Sequence, residues 1–238
     1  MTQEIRLIQQ RMRTRRAAAF AGIVFSLLTI TSHLLIWFSI PSNPLGPAAV
    51  VVTHSKNISL ALNLLSFAGI AFLWFIGVVR DRLGELEDRF FSTVFLGSGL
   101  LYVAMLFAAS AVAGGILTVL GKGVKDLLAS GAYALGREHI QAMHVYATKM
   151  AAVFMISTST ITLQTRIAPR WMAFIGYALA AILLLSFESI VWVSLAFPLC
   201  VLLFSLCILI ENLGQRFAGD DRLGSCLHQR QSTELGDT

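Results

Sequence analysis

Lys149 stands within "HVYATKMAAVF" (144–154), and it is the one Lys or Arg inside any apolar stretch of the chain. An amine at such a position costs about 2.5–3.5 kcal/mol when the stretch lies in hydrocarbon, so something must compensate for it. Four other polar side chains fall within apolar runs or at their ends: His33, Asn63, His144 and Glu188. Imidazoles exchange protons near neutral pH, and a carboxamide donates and accepts at once. This set suits coordination of a polar or anionic solute, or a proton relay, better than covalent chemistry. Lys149 admits three readings. It forms a structural ion pair with Glu188, it lines a water-filled cavity, or it snorkels to the nearer surface.

Other chemistries find little support. His139 and His144 are five residues apart, which is not one helical face, and no H-x-x-x-H or H-E-x-x-H occurs. Cys200 and Cys207 share a face but are too few for a metal site, and Cys226 lies in a polar tail. Neither metal nor cofactor is expected. Ser98 in "GSG" (97–99) lacks the flanking glycine of a nucleophile turn, with Leu96 in its place. Gly97 and Gly99 read instead as packing residues. No catalytic residue is assigned, and an enzyme is not expected.

The elements that position these groups follow from composition. Of 238 residues, 56% are hydrophobic and 13% charged, about half the usual charged fraction of ~25%. Mean hydropathy is +0.75. The expected fold is all-α: a polytopic integral membrane protein with a six-helix transmembrane bundle. Its spans are approximately 17–40, 58–79, 91–113, 141–163, 171–187 and 190–210. A basic segment, 1–16, precedes the domain (17–213), and a polar tail, 214–238, follows it. The uncharged run from Phe90 to Leu120 is long for one crossing, so the helix is expected to end or kink at Gly114–Gly115. A short interfacial helix is expected over Lys125–Leu135, within the loop 121–140.

Basic residues set the orientation. Thirteen of the 18 Lys and Arg residues fall in 1–16, the second and fourth loops and the tail, against four in the opposite loops. Both termini are therefore expected to be cytoplasmic. The +5 net charge reflects this flanking pattern and not nucleic-acid binding. The expected partners are the lipid bilayer, with anionic lipids at the N-terminal arginines, and further copies of the chain. Trp37, Trp74, Trp171 and Trp192 fall near span ends, as an interfacial belt requires.

Two helices carry polar stripes. Gly22, Ser26, Thr29 and His33 recur at helical spacing, as do His144, Thr148, Ala151, Met155, Thr158 and Thr162. Both stripes are expected to face the bundle interior.

The second cytoplasmic loop, "GVVRDRLGELEDRFF" (77–91), is the densest charge cluster. Gly77, Asp81, Arg82 and Gly84 resemble the G-x-x-x-D-R-x-G loop of major facilitator transporters, although Glu85 and Leu86 stand where that family has basic residues. That resemblance implies one half of a transporter fold. The stretch 71–110 is also similar to uncharacterised bacterial multi-pass inner-membrane proteins, which implies a bacterial plasma-membrane location. The functional expectation is small-solute transport or ligand binding through a polar pocket open to the non-cytoplasmic side. Lys149, His144, His33, Asn63 and Glu188 would form its pathway. The alternative is a noncatalytic structural or accessory protein whose polar seams serve oligomerisation.

Overall fold

The computed structural model describes residues 2–39, 51, 53–83, 89–121, 131–165, 170–186, 194–207 and 209–210. Among these, all regular structure is helical. Six helices carry the fold: α1 Thr2–Ser39, α2 Ser55–Leu83, α3 Arg89–Leu120, α4 Ala132–Thr165, α5 Arg170–Leu185 and α6 Ser194–Cys207. Three contain stretches long and apolar enough to cross a membrane: Ala17–Ser39, Ser55–Arg80 and Phe90–Leu120. α5 and α6 are apolar but shorter. α4 has the length, 34 residues, but Lys149, His144 and a row of Ser and Thr dilute its hydropathy. A helix of that kind must be covered by neighbours. α4 packs against both α3 and α5, and Ala147, Ala151, Ala152, Met155 and Ser159 are buried along it.

Two sequence expectations are corrected here. Of the end or kink expected at Gly114–Gly115, the end is overturned: α3 runs as helix to Leu120. Glycines in a helix interior cost about 1 kcal/mol each relative to alanine, and packing beyond them outweighs that. Leu120 is buried against Ile116, Tyr133 and Val51, and Ile116 lies against Gly136 of α4. For the same reason α4 begins at Ala132, and residues 132–140, read from sequence as loop, are its first turns. The expected interfacial helix loses residues 132–135 to α4, Gly131 forms a bend before them, and residues 125–130 lie outside the described residues. The basic segment from Thr2 is helical and continuous with the first span.

Sequential neighbours pack side by side, α1 on α2, α2 on α3, α3 on α4 and α4 on α5. Small residues permit the closest contacts. A side chain at Gly22 would collide with the Ser205 hydroxyl, so α6 lies tight against α1. Gly176 of α5 likewise has room only for the Ser159 hydroxyl of α4. Gly99 packs against Ile76 and Phe154, as expected, whereas Gly97 meets nothing within 4 Å and needs no packing explanation.

The centre of the core is aromatic. Phe25, Phe72, Tyr102, Phe154 and Phe197, from five different helices, are all buried. Their rings meet at centroid distances of 4.5 Å (Phe25–Phe72), 5.2 Å (Phe72–Phe154), 5.4 Å (Phe72–Tyr102) and 4.7 Å (Tyr102–Phe197). Tilted and edge-on pairs of this kind add attraction beyond area burial. The polar stripes face inward around this plug: Gly22, Ser26 and Thr29 on α1, and Ala151, Met155 and Thr162 on α4, are buried. Most hydroxyls bond to their own helix, as Ser26 does to Gly22 O (2.8 Å) and Thr162 to Thr158 O (2.7 Å). Two others link helices: Ser32 donates to Ala61 O of α2 at 2.7 Å, and Thr160 and Tyr177 meet at 2.7 Å.

Candidate functional site

His33 and His144 come from different helices and line one void, together with Tyr102, Thr148, Leu183 and Ser194. The void measures about 20 Å³, room for roughly one water molecule. The two imidazoles are held alike. Nδ1 of His33 lies 2.9 Å from Thr29 O, and Nδ1 of His144 lies 2.9 Å from Ile140 O. A carbonyl can only accept, so each Nδ1 carries the hydrogen. In the neutral ring, Nε2 is then left with a lone pair. Thr148 donates to His144 O at 2.9 Å, which fixes its hydroxyl on the same turn. Tyr102 and Phe197 belong both to the void's lining and to the aromatic plug. The arrangement is a void of roughly one water's size with two imidazoles among its lining residues, beside packed rings.

Lys149 does something the sequence did not suggest. Its Nζ donates to the backbone carbonyls of Leu183, Leu184 and Ser186 at the C-terminal end of α5. Ser186 N–H closes the last helical bond, onto Ile182 O at 3.0 Å. Carbonyls of a final turn lack helical donors, and the negative end of the helix dipole attracts a cation there. The ammonium has three N–H donors, and these three carbonyls lie within its reach; the expected ion pair with Glu188 falls on a residue outside the described ones. Leu183 ties this cap to the cage: its carbonyl accepts from Lys149 and its side chain, 1% exposed, lines the void.

The expected pathway residues therefore separate. His33 and His144 share a void; Lys149 adjoins it through Thr148 and Leu183 but is directed to the end of α5. Asn63 lies elsewhere, exposed in an open groove between α2 and α3, with Nδ2 donating to Ser59 O at 2.9 Å. Glu188 lies outside the described residues, and so does Gly84 of the charged loop. Asp81 and Arg82 fall in the last turn of α2. Ser98 is buried and donates to Val94 O at 2.7 Å, which suits packing and not nucleophilic attack. Among the described residues, no group of three or more His, Cys, Asp or Glu side chains could hold a metal ion. Cys200 and Cys207 are free thiols, each half-buried.

Sequence reasoning missed Tyr102 and Ser194 as cage residues. Tyr102 carried a weak signal, a phenol in the middle of the uncharged run 90–120; Ser194 carried none. No protein-family model, curated protein or solved structure matches the chain.

Proposed function

We propose that the chain is a polytopic membrane protein of six crossings with both termini cytoplasmic, and that its His33–His144 cage takes up a proton or one small hydrogen-bond donor from the opposite side. Thirteen arginines on one side against four basic residues on the other support that orientation. The three membrane-length helices support the setting. The observation that carries the functional reading is the shared tautomer. Two rings on one void, each with Nδ1–H fixed to a carbonyl, leave two Nε2 lone pairs to receive a donor. The size of the cage restricts the ligand to something near the size of water, such as a proton carried on water or a small amine. Tyr102 and Phe197 of the ring plug also line the void, so passage to the other side on this reading requires those rings to part.

The test uses the full chain in lipid vesicles enclosing a pH-reporting dye. An imposed membrane potential should drive proton movement that His33→Phe and His144→Phe each abolish, while His139→Phe, on an exposed ring, leaves it intact. Proton movement that survives both cage substitutions overturns the reading.

A second reading, a noncatalytic accessory protein, is favoured by one specific observation: Lys149 donates to backbone carbonyls at the end of α5, a structural use of its charge. On that reading no proton movement occurs, and Lys149→Met changes assembly or insertion alone.

A further inference from the structure

We infer that the groove between α2 and α3 is the docking face for a second copy of this chain, paired about a two-fold axis near Asn63. Ser59, Asn63 and Ser66 line one wall, and Ser110, Gly114 and Thr118 line the other, around an open volume of about 1110 Å³. Each set recurs at three- or four-residue spacing, so each forms one continuous helix face.

Three observations point to a protein occupant. Asn63 sits about 7 Å along the helix from the middle of the membrane-length stretch Ser55–Arg80, well inside a hydrocarbon layer ~30 Å thick. Its Nδ2 donates to Ser59 O and the side chain is otherwise exposed, which leaves the second N–H and Oδ1 open to the groove. Acyl chains offer neither a donor nor an acceptor. A carboxamide is complementary to itself, and a two-fold axis presents to each Asn63 the donor and acceptor it lacks. Secondly, the groove hydroxyls do not compete for that role. Ser66, Ser110 and Thr118 each donate to their own helix, onto Leu62 O, Leu106 O and Gly114 O. Thirdly, the groove wall has room for another helix at Gly114, where an added Cβ would meet nothing within 4 Å.

The test measures self-association of the full chain in vesicles by the number of fluorophore bleaching steps per particle across protein-to-lipid ratios. Two-step particles should predominate, and Asn63→Leu and Gly114→Leu should each weaken association at least tenfold. Phe20→Ala, on an exposed part of α1 away from the groove, should leave it unchanged. Asn63→Cys should cross-link to its own counterpart under mild oxidation, in a background where Cys200, Cys207 and Cys226 are serine. Single-step particles at every ratio overturn the inference. So does association that survives both groove substitutions, or a monomer that retains bound anionic lipid in the groove.

Discussion

Lys149 on α4 and Leu184 on α5 are 35 residues apart in sequence and joined by a hydrogen bond from amine to backbone carbonyl. That link changes what the buried charge is for. The lysine completes the end of a 16-residue helix, which at ~1.5 Å per residue falls short of a full crossing. The polar end of α5 and the charge of α4 each supply what the other lacks.

Removing the amine leaves those carbonyls unsatisfied. Lys149→Met should destabilise the folded chain by about 1.5–3 kcal/mol, the range for a hydrogen bond to a charged group. Lys149→Arg should retain most of the stability, because it keeps the charge and the donors. Reversible unfolding in mixed micelles measures both. Equal stability of wild type and Lys149→Met contradicts the cap.

The contact between α1 and α6 at Gly22 and Ser205 leaves no room for a methyl group. Gly22→Ala should destabilise by about 1–3 kcal/mol through overpacking. Combining it with Ser205→Gly should recover much of that loss in a double-mutant cycle. Gly97→Ala, where nothing lies within 4 Å, should be neutral or slightly stabilising. An additive cycle would mean that the two helices do not meet there.

The Thr29 hydroxyl is buried and has no hydrogen-bond partner among the described residues, while its carbonyl holds the His33 ring. Thr29→Val keeps the shape and removes the unmet polar group, so stability should be unchanged or raised by up to about 1 kcal/mol. A loss of stability would show that the hydroxyl has a partner such as water.

The aromatic plug should behave as a packed core. Phe72, in ring contact with Phe25, Phe75, Tyr102, Phe154 and Phe197, should cost about 3–5 kcal/mol when cut to alanine. Thermal unfolding of the detergent-solubilised chain reads this directly. A shift no larger than that of the exposed Phe20→Ala would place the core elsewhere.

Helical period and apolar length were legible because they are written in consecutive residues. The stripe Gly22–Ser26–Thr29–His33 pointed inward as its spacing implied, and His144 proved to lie on the same void as His33. What stayed hidden depends on pairing between distant segments. Lys149 binds carbonyls, which every residue carries and no sequence pattern marks. The five rings of the plug come one from each of five helices, so no local periodicity announces that they meet. The run through Gly114–Gly115 was missed because local propensity favours a break there, while the contacts of Leu120 and Ile116 that oppose it come from α4 and Val51.

The central claim, two imidazoles sharing one small cage with Nε2 free to accept, is tested most directly by solid-state ¹⁵N NMR of histidine-labelled chain in bilayers. Resonances are assigned by their loss in His33→Phe and His144→Phe. At high pH both rings should carry hydrogen on Nδ1 and a bare Nε2. Replacing either ring should shift the Nε2 resonance of the other, because both line one void. Nε2–H tautomers, or an Nε2 resonance in each ring that ignores replacement of the other, would contradict the shared cage.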